Sequence, residues 1–195
     1  QVTEQASLVD ISDADLEQQV AQVDTIVSCL GHNLTFQGIF GHPRRLVTDA
    51  TKRLTAAMKD NQRFILMSSN GVGHEKDDER AFGDRCILFL LRYLVPPHAD
   101  NEDAAAHLQS TTKNIPWVAV RPTDLVDAPA ASQYKIYDKP IGSLFGSGVV
   151  SRANVAKFMV DLITDKVLFA KYEHQMPVLY DAKQPSSSTD KEKTS

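Results

Sequence analysis

The chain is poor in the features that define several protein classes. It has only 2 cysteines in 195 residues. Cys29 and Cys86 each sit inside an apolar run, which argues against a secreted disulfide scaffold and for a reducing, cytoplasmic setting. No apolar run reaches the roughly 18 to 20 residues of a bilayer span; the longest, Cys86 to Val95, is interrupted by Arg92. An excess of positive charge is also lacking. With 21 basic against 25 acidic residues and a formal charge of −4, neither a nucleic-acid-binding face nor an anionic-membrane anchor is expected. The histidines His32, His42, His74, His98, His107 and His174 are scattered, with no pair at i,i+4 and no cysteine spacing, so no metal site is expected. The first residue is Gln1, and no basic region followed by an apolar one is present, so no signal peptide is read and an N-terminal portion is expected to be missing. Residues 183–195 carry no apolar side chain and are expected to form a disordered tail.

What is present suits one globular domain over residues 1–182, since 42% of the residues are apolar and 24% charged. Short apolar runs alternate with helical stripes. Ala6 to Asp10 reads as a strand, followed by a helix over Asp13 to Gln22 that Ser12 caps. Thr25 to Leu30 reads as a buried strand and Pro43 to Lys59 as an amphipathic helix. Phe64 to Met67 and Val118 to Val120 read as two more strands, with helices over Arg80 to Leu94 and Asp100 to Thr111 between them. Tyr134 to Phe145 reads as extended loop and hairpin, Ser151 to Ile163 as a helix, and Pro177 to Tyr180 as a last strand. The run within Cys86 to Val95 has too few polar positions for a surface helix, so it is assigned to the core, with a partner face as the alternative. Continuous apolar strands separated by helices indicate the α/β class with a doubly wound parallel sheet.

In such sheets ligands bind beyond the carboxyl ends of the strands. The segments to inspect are Asp10-Ile11, Leu30-Gly31-His32, Ser68-Ser69-Asn70-Gly71 and Arg121-Pro122-Thr123-Asp124. Gly31 and Gly71 allow close backbone approach, Ser69 carries a hydroxyl that polarises a carbonyl, and Asp10 can accept from an exocyclic amine. Each of these residues also suits a turn or a helix cap.

In their order along the chain, Leu8 to Gly31, Arg63 to Val72, Trp117 to Asp127 and Ser151 to Ile163 resemble the NAD(P)-binding atypical short-chain dehydrogenase/reductase family, the NmrA-like and NAD(P)H-binding group. The resemblance implies a Rossmann-like sheet. It also implies Asp10 and Ile11 against the adenine, Cys29, Leu30 and Gly31 along the adenosine and pyrophosphate, and Ser68 near the nicotinamide. Arg121, Pro122 and Thr123 would flank the nicotinamide from the next strand, and Ser69 matches the catalytic serine. Two departures stand out. The family's glycine-rich turn would precede the Ala6 strand, where only five residues stand. The Tyr and Lys of the proton-donating pair fall on Pro97 and Asn101 when counted back from Leu108. Asn101 is read either as a ribose-binding replacement for the lysine or as a residue near its helix start, and His74, His98 and Tyr93 are the candidate proton donors, with packing or surface roles as the alternative. In the doubly wound order the Ala6 strand would be third and the Thr25 strand fourth, so the Thr25 strand is expected at an exposed edge of an incomplete sheet. The resemblance implies an NAD(P)-dependent oxidoreductase acting on a small carbonyl or quinone-like substrate, with NADP favoured over NAD. The alternative is a cofactor-binding sensor without turnover. A homo-oligomer or protein partner is left open.

Overall fold

The computed structural model of the chain describes residues 7–182 apart from 9, 34, 76, 78–80, 112–113 and 143–147. In chain order its strands are β1 (Thr25–Ser28), β2 (Arg63–Met67), β3 (Trp117–Pro122), β4 (Asp124–Val126), β5 (Tyr134–Tyr137), β6 (Val149–Ser151) and β7 (Val178–Asp181). The helices are α1 (Asp13–Val20), α2 (Phe36–Phe40), α3 (Leu46–Ala57), α4 (Phe82–Leu94), α5 (Pro96–Ser110), α6 (Arg152–Thr164) and α7 (Lys166–Tyr172).

Side chains of a strand point alternately to its two faces, so a strand covered on both sides must be apolar at every position. The central strands follow that rule. Phe64 and Leu66 of β2, with Trp117 and Ala119 of β3, enter one core together with Leu16, Val47, Leu54, Ala104 and Leu108 from α1, α3 and α5. Ile65, Val118 and Val120 enter the opposite core, against Val155, Phe158, Leu162, Phe169 and Tyr172 of α6 and α7. The sheet runs in the order β1-β2-β3-β7-β5. β1, β2, β3 and β7 are mutually parallel, and β5 closes the far side antiparallel to β7. A separate two-stranded parallel ribbon pairs β4 with β6. This is the α/β class with a mainly parallel sheet that the apolar runs imply.

The structure departs from sequence expectation at several points. Ser7, Leu8, Asp10 and Ile11 form a turn rather than a strand, because the Ser7 carbonyl accepts from both Asp10 N (3.1 Å) and Ile11 N (2.9 Å). Arg53 of α3 donates to the carbonyls of Leu8 and Ile11 and to Asp13, which pins that turn to a helix and away from the sheet. β1 is therefore the edge strand, with no strand partner on its outer side among the described residues. The α4 run is not core. Phe82, Phe89, Leu90, Tyr93 and Leu94 are exposed and Asp84 is the buried residue of the helix, because α4 packs chiefly on α5 and not on the sheet. Helices α2 and α7 lie where no helix is read from sequence, and the tail from residue 183 lies outside the described residues.

Arg121, at the end of β3, is fully buried. Each of its five N–H groups has an acceptor. Nε donates to Met176 O (2.7 Å), Nη1 to Val72 O (3.0 Å) and to Asp77, and Nη2 to Asp77 Oδ1 (2.9 Å) and Asp138 O (3.3 Å). These bonds draw the segment after β2, the turn after β5 and the approach to β7 onto the end of β3. Asp77→Ala would leave that guanidinium buried without its counter-charge, at an expected cost of about 3 to 5 kcal/mol. Urea denaturation measures this, and adding Arg121→Met to the same chain should restore part of the loss.

Candidate functional site

At their carboxyl ends β1, β2 and β3 finish side by side and three loops meet. The chain leaving β2 stays hydrogen-bonded to β3, with Ser68 N donating to Val120 O (2.7 Å) and Asn70 N to Pro122 O (3.0 Å). Segments 68–71 and 120–123 are thereby joined, and Cys29 to Gly31 follow the neighbouring strand β1. A side chain added at Gly31 would meet nothing within 4 Å. The hydroxyls of Ser28 and Ser68 are buried at the ends of adjacent strands without a hydrogen-bond partner. A buried hydroxyl left unpaired costs about 1 to 3 kcal/mol, so these two fit a ligand that brings polar atoms to the strand ends. Ser69 is half-buried, and its Oγ accepts from Gly71 N at 3.2 Å, which leaves its own O–H free to donate outward.

The loop after β1 is fastened by His32 of that loop and by Asp100. His32, with 5% of its side chain exposed, sets Nε2 2.9 Å from Asp100 Oδ2 and Nδ1 3.2 Å from the Gly38 carbonyl. Asp100, from the first turns of α5, also accepts from Val47 N (2.8 Å) and Thr48 N (2.9 Å). Those are the second and third N–H groups of α3, which no residue of that helix satisfies, since Arg45 at its N-cap makes no side-chain hydrogen bond. Thr48 Oγ1 returns a bond to Asp100 O at 2.9 Å. Burial pushes the Asp100 carboxyl up, but the hydrogen bonds from Thr48, His32 and Val47 outweigh it and hold the group below the ordinary carboxylate range.

On the next face of α5, the His98 ring lies against the turn after β2. Its Cε1 would stand 3.1 Å from a Cβ at Gly71, closer than ordinary contact. His98 Nε2 lies 3.3 Å from Glu102 Oε1, and Glu102 is held in turn by Arg92 of α4 (2.5 Å), whose other arm reaches Asp103 (3.0 Å). Burial pushes the Glu102 carboxyl up, and the contacts from His98 and Arg92 overcome that and keep it low.

The residues singled out from sequence do not all gather here. Gly31, Ser68, Ser69 and the Arg121-Pro122-Thr123 segment share the strand ends. The guanidinium of Arg121 is committed internally, the Thr123 hydroxyl donates to Leu179 O (3.1 Å), and the backbone N–H groups of the two residues donate to Pro177 O and Leu179 O. Leu30 is half-buried; Cys29 is exposed as a residue, yet burial around its sulfur pushes the thiol pKa up, which marks it as unactivated. Asp10 is exposed in the turn pinned to α3, and Ile11 packs against the core, so neither joins the cluster. Asn101 is half-buried on α5 beside Asp100. His74 leaves the strand ends altogether and lines a cavity of about 250 Å³ with Gln109, Trp117 and His174, toward the amino end of β3. Tyr93 is 69% exposed on α4. Tyr134 and Ile136, from the segment read as extended loop and hairpin, pack on the second core; burial, with Asp161 beside its hydroxyl, pushes the Tyr134 pKa up to about 12. Leu144 and Phe145 lie outside the described residues. The sequence signal for these groups is positional: His32 follows Gly31 directly in a strand-end loop, Asp100 lies within the His98 to Asn101 stretch, Glu102 follows it and Arg92 precedes it by six residues.

A family model described as NAD(P)H-binding matches residues 2–166. Solved structures share the fold. A protein from Lactobacillus casei is 15% identical with a TM-score of 0.66, covering 91% of this chain and 77% of that one. A wide-type short-chain dehydrogenase/reductase from Veillonella parvula, in complex with NADP, is 17% identical with a TM-score of 0.62, covering 93% and 74%. An anaerobillin reductase from Escherichia coli is 17% identical with a TM-score of 0.60, covering 92% and 75%. No curated protein matches the chain at a significant level. Among the described residues no helix is long and apolar enough to cross a membrane.

The Asp100 network carries a pH signature. A carboxyl whose folded pKa is depressed contributes stability that is fully present above the unfolded value of about 3.9 and lost as pH falls through the folded value. Asp100→Asn should lower stability at neutral pH by about 1 to 3 kcal/mol and make the loss of stability below about pH 4 shallower than in the parent. Thermal melts across pH test both, and parallel acid limbs would remove Asp100 from that role.

Proposed function

Because the chain belongs to the NAD(P)H-binding family, we propose that it is an NAD(P)-dependent oxidoreductase that reduces the carbonyl of a small quinone-like or carbonyl substrate, with NADP preferred. The observation that carries this reading is the meeting of three loops at the ends of β1, β2 and β3, where the unpaired Ser28 and Ser68 hydroxyls and the open flank of Gly31 lie beside the Ser69 turn. The NADP complex of the Veillonella parvula relative and the reductase activity named for the Escherichia coli one support it.

In this reading Cys29, Leu30 and Gly31 lie along the adenosine and pyrophosphate through their backbone, where the absence of a side chain at Gly31 permits close approach. Ser68 and the backbone of Arg121, Pro122 and Thr123 border the nicotinamide, and Asn101 takes a ribose hydroxyl. When bound, the reduced nicotinamide supplies two electrons and one hydrogen to the carbonyl carbon. Ser69 donates its free O–H to the carbonyl oxygen, which accumulates negative charge as the reaction proceeds.

Pro97 and Asn101, standing where the resemblance places Tyr and Lys, favour a second reading in which the protein binds cofactor without turnover. Calorimetry with NADP and an NADPH-consumption assay over quinones, aldehydes and ketones separate the two, since a sensor binds and consumes none.

In the full-length protein, Ser69→Ala should lower turnover by about a hundredfold or more with cofactor affinity within a few-fold. Equal turnover would reject the role. Gly31→Val should leave the melting temperature unchanged, because the added side chain enters open space, while weakening NADP binding by at least about tenfold. Retained affinity by calorimetry would place the cofactor elsewhere.

A further inference from the structure

A carbonyl reduced at carbon still needs a proton at oxygen, and Pro97 cannot give one. The structure narrows the candidates. His74 faces the cavity toward the amino end of β3, and Tyr93 lies exposed on α4 with its ring tilted against Phe89, centroids 4.9 Å apart. His98 alone of the three touches the turn that carries Ser69. Its ring packs on Gly71, the residue whose N–H holds Ser69 Oγ at 3.2 Å, so hydroxyl and imidazole meet at one glycine that admits the ring because it has no Cβ.

We propose that His98 is the proton donor of this site, positioned by Glu102 and through it by Arg92. The proposal rests on the oxidoreductase reading above. His98 and Glu102 are four residues apart on α5 and so share a face of the helix. Glu102 Oε1 stands 3.3 Å from the buried Nε2, near enough to attract its proton though not aligned as a hydrogen bond, while Nδ1 makes no hydrogen bond among the described residues and remains available to a substrate. A carboxylate beside one ring nitrogen favours the proton there by charge and leaves the other nitrogen to exchange a proton with substrate. Arg92 bonds both Glu102 and Asp103, which prevents the carboxylate from rotating away from the ring. Among the described residues the titratable and charged groups at the imidazole, directly or through one partner, are Glu102, Arg92 and Asp103, and Leu88 of α4 also lies near Gly71.

With the reduced nicotinamide bound, the carbonyl carbon would receive two electrons and one hydrogen from it. The C=O π pair moves to oxygen, which is bonded by the Ser69 hydroxyl and takes the proton from Nδ1–H of the His98 imidazolium. The products are the alcohol, oxidised cofactor and neutral imidazole, which regains its proton from solvent. For a quinone the same transfer yields the hydroquinone after a further proton shift.

The test uses the full-length protein with NADPH and phenanthrenequinone, comparing the parent with His98→Gln, Glu102→Gln and Glu102→Asp. His98→Gln should lower kcat by about a hundredfold or more, with NADP affinity by calorimetry within a few-fold, and should abolish the fall of kcat/KM on the alkaline side of the parent's profile. Glu102→Gln should lower kcat less, and Glu102→Asp should recover part of the loss. Independently of activity, two-bond proton–nitrogen NMR of the imidazole should find the neutral ring of His98 protonated at Nε2 in the parent and as a mixture of tautomers in Glu102→Gln. Turnover in His98→Gln equal to the parent, or a parent ring protonated at Nδ1 in its neutral form, overturns the assignment while leaving the oxidoreductase reading in place. A parent that binds NADP yet consumes no NADPH with phenanthrenequinone or the wider panel overturns that reading and the role of His98 with it.

Discussion

The Asp100 carboxylate takes the two N–H groups that α3 leaves open in its first turn, and the same oxygens hold His32 from the loop after β1. One buried group therefore decides where α3 starts, where α5 lies and how the chain leaves β1. Without it the positive end of α3 would face the interior unpaired, and the His32 ring would keep only its bond to the Gly38 carbonyl. The site is built outward from this point, since His98, Asn101 and Glu102 occupy the same turns of α5 as Asp100 and inherit its position.

Arg121 does the corresponding work on the other side of β3. It spends all its donors on one carboxylate and three backbone carbonyls of distant segments, which converts a strand-end arginine into an interior clasp. The polar groups at the strand ends thus divide into two sets. Arg121, Asp100, His32 and the Thr123 hydroxyl are satisfied internally and hold the loops, whereas Ser28 Oγ, Ser68 Oγ and the Ser69 O–H keep capacity for a ligand. A rigid rim around a few unpaired polar atoms is the arrangement expected of a small-molecule site.

The apolar runs determined the sheet by themselves. Continuous apolar strands such as Phe64 to Met67 and Val118 to Val120 have no stable place except between two covered faces, and the helical stripe within Pro43 to Lys59 has one buried side, so the α/β class and the serines and glycines beyond the strand ends follow from local pattern. The Ala6 to Asp10 run obeys the same composition rule, yet its described residues Ser7, Leu8 and Asp10 lie in a turn, where Arg53 donates to the carbonyls of Leu8 and the following Ile11. The apolar face of α4 is legible as apolar, but its exposure depends on α5 lying between α4 and the sheet. That His98 rather than His74 reaches the Ser69 turn, and that Arg121 and Asp100 turn inward, was decided only by tertiary structure. The Arg121–Asp77 and Asp100–His32 pairs are 44 and 68 residues apart in sequence, and no local periodicity encodes which distant acceptor a long polar side chain will meet.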